Sequence, residues 1–276
     1  MKLESINYKA VTAKPDFLAR IIQISADSDH CFHEMDSLLR SDQGAVSLIL
    51  RVANSAMYCR GKHIKTIPHA INLLGINVIR SLAILSVSRA IFTQSKNEMI
   101  QKHVWQHSLL TALACQQICV ESGERKLSEE AFVAGLLHDI GKVLLFFNYP
   151  DEYIKILDYA LHKPCACAKA EQKFLDFDHY DVGKKAISEW KLPAHFVNYV
   201  ATNLERLPSD HDKTLHFLAI ANSLIKSSGI GGCSFELPER KEQLMNLGAS
   251  DILSDSLLEE SFMQQLIQND IYLLCV

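Results

Sequence analysis

The chain has 276 residues, with 28 Lys and Arg against 32 Asp and Glu, for a formal charge of −4 with its 12 histidines neutral. Hydrophobic residues make up 48% and charged ones 22%, which excludes disorder over most of the length, and the acidic balance argues against dedicated nucleic-acid binding. Only 11 Gly and 7 Pro are present, well under the usual shares, so long helices are expected rather than many short strands joined by hairpins.

Pro15-Asp16 opens the first predicted helix, in which Phe17, Leu18, Ile21, Ile22 and Ile24 recur at helical spacing. Met35, Leu38 and Leu39 form the next apolar face, and Val46 to Val52 another, ending near Asn54-Ser55. Thr66 is a candidate N-cap, with Pro68 in the first turn, for a helix carrying Ala70, Ile71, Leu73 and Leu74. Gly75 interrupts. Val78 to Phe92 is apolar on nearly every side and is expected to be buried. The polar stretch Gln94 to Glu98 divides the chain into an N-terminal helical subdomain, residues 1–97, and a bundle, residues 98–276. Beyond it, helices are predicted over Val104 to Val120, from Ser128-Glu129-Glu130 onward, over Tyr153 to Leu161, Ala168 to Phe177 and Val182 to Trp190, and from Pro193 through His195 to Val200. Ser209 is the candidate cap for Leu215 to Ile225. Ser227 to Cys233 is a glycine-bearing loop, and two short amphipathic segments close the chain. The class is all-α.

Met1 to Ala10 lacks the apolar core of a secretory leader. Of eight cysteines, Cys115 and Cys119 lie four apart and Cys165 and Cys167 form a lone CxC, and none has zinc-finger spacing. Reduced thiols in a cytoplasmic protein are the expectation. No run of eighteen apolar residues occurs, so no membrane span is expected. Arg51 reads as a surface residue, Trp190 and Leu192-Pro193 as core, and His30, His33, His63, His162 and His211 as solvated.

Asp139 stands out because it lies within the apolar run Ala131 to Phe147, where a lone carboxylate is costly to bury. It needs a cation, hydrogen-bond donors or a metal. His138 adjoins it, and His107 lies near the start of another predicted helix. Imidazole and carboxylate together suit a divalent transition metal. Neighbouring helical residues point about 100° apart, so His138 and Asp139 converge only if the helix ends there, and Gly141 could end it. The alternative is structural: Lys142, three residues on, pairs with Asp139, and the histidines bond to backbone carbonyls.

At these positions the chain resembles the HD superfamily of metal-dependent phosphohydrolases, and most closely its HDOD branch. Six segments follow the family's order: Leu50-Arg51-Val52-Ala53-Asn54-Ser55-Ala56-Met57-Tyr58; Ile67 to Gly75; Val104-Trp105-Gln106-His107-Ser108; Gly135 to Lys142; His179-Tyr180-Asp181-Val182-Gly183; and Trp190-Lys191-Leu192-Pro193. The resemblance covers residues 15–226. It implies an N-terminal helical subdomain packed on an HD-like helical bundle, and a bacterial signalling or regulatory setting. It also implies metal ligands at His107, His138 and Asp139, with His179 and Asn222 as weaker ones, a catalytic part for Asp139 and Lys142, and ligand contact by Lys142 and His179.

The departures weaken the catalytic expectation. Asn222 stands where catalytic relatives carry an aspartate, Thr202-Asn203 replaces a pair of histidines, and the GYP signature is absent. A non-catalytic regulatory protein that binds a protein partner or a small nucleotide-like ligand is therefore expected, with one divalent metal (Fe, Mn, Ni, Zn or Mg) or none. The other reading is a mononuclear metal-dependent phosphohydrolase acting on a nucleotide or phosphodiester. A third reading is self-association through apolar stripes at Leu257-Leu258 and Leu266-Ile267, although such stripes are more often ordinary core.

Overall fold

The computed structural model describes residues 2–10, 15–24, 28, 30–58, 61, 63–92, 94–163 and 166–276. Among them there is no strand, and one isolated antiparallel bridge joins Ser228 and Ser234. The all-α reading holds. Five helices come first: α1 (Pro15–Gln23), α2 (Cys31–Leu39), α3 (Gln43–Ala53), α4 (Ile67–Leu74) and α5 (Ile76–Phe92). Asp42 caps α3, accepting from the Ala45 N–H at 2.9 Å, and Thr66 caps α4 with proline in the first turn, as its sequence predicts. Gly75, at φ +84°, then turns the chain through 118° into α5, a backbone region that L side chains resist. α5 buries residues on every side, from Ile79 to Phe92.

The bundle follows: α6 (Glu98–Ile100), a π-helical turn (Gln101–Gln106), α7 (His107–Glu121), α8 (Ser128–Leu137), α9 (Ile140–Asn148), α10 (Pro150–His162), α11 (Cys167–Leu175), α12 (His179–Glu189), α13 (Phe196–Val200) and α14 (Lys213–Ser227). α7 packs along α8 and α14, α5 lies on α8, and α9 lies on α12. Across the α5–α8 contact the Ser81 hydroxyl donates to Glu129 Oε2 at 2.6 Å, and Gln116 of α7 donates to the same carboxylate at 3.0 Å. Burial pushes the Glu129 carboxyl up, against the pull of these bonds and of Arg80.

Several expectations need correction. The cap of α14 is Asp212, which accepts from the Leu215 N–H at 2.7 Å, and Ser209 does not cap it. A π-helical turn replaces regular helix over Val104 to Gln106. The chain closes with four helices rather than two segments: α15 (Leu237–Asn246), α16 (Asp251–Leu258), α17 (Glu260–Ile267) and α18 (Asp270–Cys275). These run back to the first half, where α18 meets α3 and Trp105 Nε1 donates to the Cys275 carbonyl at 3.3 Å. Leu257 and Leu266 are buried in this packing. The opening residues also reach across, and Tyr8 offers its carbonyl to Trp190 Nε1 at 3.0 Å. No single described helix is long and apolar enough to cross a membrane. Cys165 lies outside the described residues.

Asn54 ends α3 and ties down the segment after it. Its amide nitrogen donates to the Leu50 and Ile64 carbonyls at 2.7 and 2.8 Å, and its Oδ1 accepts from the Ile64 N–H at 2.8 Å. Asn54→Ala removes the side-chain partners of the Ile64 N–H and carbonyl and is expected to lower stability by about 1–3 kcal/mol, measured by urea unfolding of the full chain.

Candidate functional site

His107 is the first residue of α7, placed by the π-helical turn before it. His138 and Asp139 lie in the two-residue break between α8 and α9, with Asp139 at φ −100° and ψ 17°. That break removes the 100° divergence of neighbouring helical residues and lets both side chains face one centre. Gly141 does not end the helix, because it lies inside α9. Its role is close approach: a Cβ there would stand 1.9 Å from the His179 carbonyl oxygen. α9 and the start of α12 can meet only at a glycine.

Asn222 arrives from α14. The His107 Nε2 atom lies 3.3 Å from His138 Nε2, 3.1 Å from Asn222 Oδ1 and 3.6 Å from Asp139 Oδ2, and His138 Nε2 lies 3.4 Å from the same Oδ2. All four residues are less than a tenth exposed. The outer nitrogens set the tautomers. His107 Nδ1 donates to the Ile230 carbonyl at 3.0 Å, and His138 Nδ1 donates to the Gly135 carbonyl at 2.8 Å. Both Nε2 lone pairs then point inward, as is usual for metal-binding imidazoles. Burial holds His107 well below its ordinary pKa, against the opposing pull of Asp139, so its ring is neutral. Two imidazole nitrogens, a carboxylate oxygen and an amide oxygen therefore converge on one centre. Atoms that share one ion at roughly 2.1 Å each stand about 3.0–3.4 Å apart, so the donor set fits one divalent cation. Among the described residues, His107, His138 and Asp139 form the one such cluster of three.

Lys142 sits on the same carboxylate, with Nζ 2.7 Å from Asp139 Oδ2. Burial opposes the charge on Asp139, but His138, Lys142 and His107 outweigh it and hold the carboxyl well below its usual range. Burial likewise opposes the Lys142 ammonium, and Asp139 overrides it and raises its pKa. The cluster is thus close to neutral before any ion enters.

His179 begins α12 behind the Asp178 cap and stands beside the cluster rather than in it, with Nε2 3.9 Å from Asp139 Oδ1. Its Nδ1 meets Glu171 Oε2 at 2.5 Å, and its backbone N–H donates to the same oxygen at 2.8 Å. Glu171 is fully buried and also accepts from the Tyr153 hydroxyl at 2.8 Å. Burial works against its charge, and His179 with Lys142 brings its pKa down. Sequence reasoning passed over Glu171, which sits on a different helix from the histidine it holds; its one signal was an acid in an otherwise mixed helix. Of the pair at 202–203, Thr202 faces the cluster, while Asn203 is exposed and caps its own turn by accepting from the Glu205 N–H at 2.9 Å. The space over the cluster, between Lys142, His179, Tyr180 and Asn222, is about 20 Å³.

The HDOD domain model matches residues 11–205. The chain belongs to the HDOD domain family. A curated relative, an uncharacterized protein of Treponema pallidum (strain Nichols), is 23% identical over 214 residues, 77% of this chain. The HDOD chain spans 41% of that relative's length. An HDOD domain protein of unknown function from Geobacter sulfurreducens has a similar crystal structure, with TM-score 0.72, 21% identity and coverage of 92% of this chain and 91% of its own. A candidate phosphohydrolase from Shewanella amazonensis SB2B aligns with TM-score 0.66 and 22% identity over 95% of both chains. At these identities the likeness is one of fold.

Two substitutions probe the cluster. Lys142→Ala leaves the Asp139 carboxylate buried without its cation and is expected to cost about 3–5 kcal/mol, read by denaturant unfolding. Asn222→Asp adds a second carboxylate to the donor set. It should lower the melting temperature of metal-free protein and tighten Mn²⁺ binding by about tenfold, measured by calorimetric titration.

Proposed function

We propose that this HDOD protein is a non-catalytic regulatory module whose HD-like bundle holds at most one divalent cation and acts by binding a small ligand or a protein partner. The observation that carries this reading is the space over the cluster. About 20 Å³ directly over the carboxylate is room for about one water, which needs roughly 10–15 Å³. The donor set agrees: Lys142 neutralises Asp139, Asn222 brings no charge, and Thr202-Asn203 supplies no imidazole. A two-metal clamp on the attacking and leaving oxygens lacks its second set of ligands among the described residues.

The inward-facing lone pairs of His107 and His138 favour a second reading, a mononuclear phosphohydrolase, and the name carried by the Shewanella amazonensis protein leans the same way. In that reading His107, His138, Asp139 and Asn222 would hold the ion, and Lys142 would steady phosphate charge. A bound divalent ion would lower the pKa of a water molecule and supply the nucleophile.

Metal content of untagged protein by mass spectrometry, beside a His138→Ala/Asp139→Ala double variant, separates the two together with a phosphoester panel. The panel is assayed with Mn, Fe, Mg, Ni and Zn. We expect no more than one equivalent of metal, lost in the variant, and no turnover with any ion. Robust hydrolysis abolished by His138→Ala would overturn the non-catalytic reading.

A further inference from the structure

Beside the cluster lies a much larger cavity of about 380 Å³, bounded by α10, α14, α15 and the loop after α14. This is within the range for small-molecule sites. Leu157, Leu161, Leu204, Phe235 and Leu247 give it apolar walls. Its charges cancel in pairs: Lys226 Nζ lies 2.8 Å from Glu205, and the Lys142 beyond it is held by Asp139.

What remains without a protein partner is neutral. Asn222 is only 6% exposed, brings its side-chain amide within 3.1 Å of His107 Nε2 and lines the cavity as well. The Ser223 hydroxyl and the side-chain amides of Gln243 and Asn246 also line the cavity without partners there. Polar side chains without a protein partner on a cavity wall are available to bond a ligand there. Side-chain amides offer a donor and an acceptor side by side, the pattern that matches the edge of a nitrogen heterocycle. Leucine and phenylalanine walls suit its faces. An acyl chain would leave these amides unmatched, and a phosphate would find no unpaired cation.

We propose that this cavity binds one uncharged aromatic heterocycle, its edge hydrogen-bonded by Asn222, Ser223, Gln243 and Asn246 and its faces against the apolar walls. The inference rests on the ligand-binding reading above and names the class of ligand. The site abuts the histidine cluster through Asn222.

The test is a ligand-observed NMR titration of the full chain with adenine, benzimidazole and nicotinamide as uncharged probes. AMP serves as the phosphorylated counterpart and octanoate as the apolar anion. Gln243→Leu and Asn246→Leu are the variants, chosen because Gln243 is half-buried and Asn246 exposed, so the core is untouched; circular dichroism checks their fold. At least one uncharged ring should bind, each variant should weaken it by about tenfold, and AMP should bind no tighter than adenine. The proposal fails if none of the three rings binds the folded protein. It fails equally if binding is unmoved by both variants, or if AMP or octanoate is preferred. Phosphoester turnover by the same sample counts against the non-catalytic reading and leaves the titration to be judged separately, whereas ring binding without turnover supports both.

Discussion

A carboxylate with almost no access to water has to be compensated on every side, and the arrangement around Asp139 follows from that requirement. Its side chain is 4% exposed. The helix carrying it stops at Leu137 and restarts at Ile140, which frees His138 and Asp139 to face the same centre. Lys142, one turn into the new helix, returns its ammonium to the carboxylate. The N-terminal end of α12 then packs so tightly on α9 that position 141 must be glycine. Breaking the helix, seating the lysine and admitting His179 are three consequences of burying one negative charge in apolar surroundings.

The structural and the functional accounts of the histidines turn out to describe the same bonds. Each ring is held by a backbone carbonyl, as a core histidine would be, and that bond is what points the other nitrogen inward. The Glu171–His179 pair adds a second, fully buried acid–imidazole contact just behind the first. Because Lys142 already sits on Asp139, a cation must compete with an ammonium in place there.

Much of the helical organisation was legible in the chain. Apolar periodicity marked the faces of α1 to α5, Thr66 with Pro68 announced a start, and Gly75 announced a corner, since each is a local preference that survives packing. His107, His138 and Asp139 could be singled out because polar groups in an apolar run demand an explanation. The failures were non-local or concerned weakly patterned segments. Ser209 and Asp212 are both good caps, and only the fold decides which one meets the helix. The closing helices are short and polar enough that their periodicity is weak. The 380 Å³ cavity arises from residues far apart along the chain, and Glu171 meets His179, eight residues on, only through the turn between α11 and α12.

The sequence by itself determined the all-α class, the order of the family segments and the identity of the groups that must be reconciled with burial, because composition and period act through local energetics. Only the tertiary structure decided that His138 and Asp139 converge, that Lys142 returns its ammonium to the carboxylate, and that Asn222 bridges the cluster and a neighbouring cavity. Those outcomes depend on the direction of side chains brought together from α7, the α8–α9 break and α14, and direction across helices is set by packing, which no local pattern encodes.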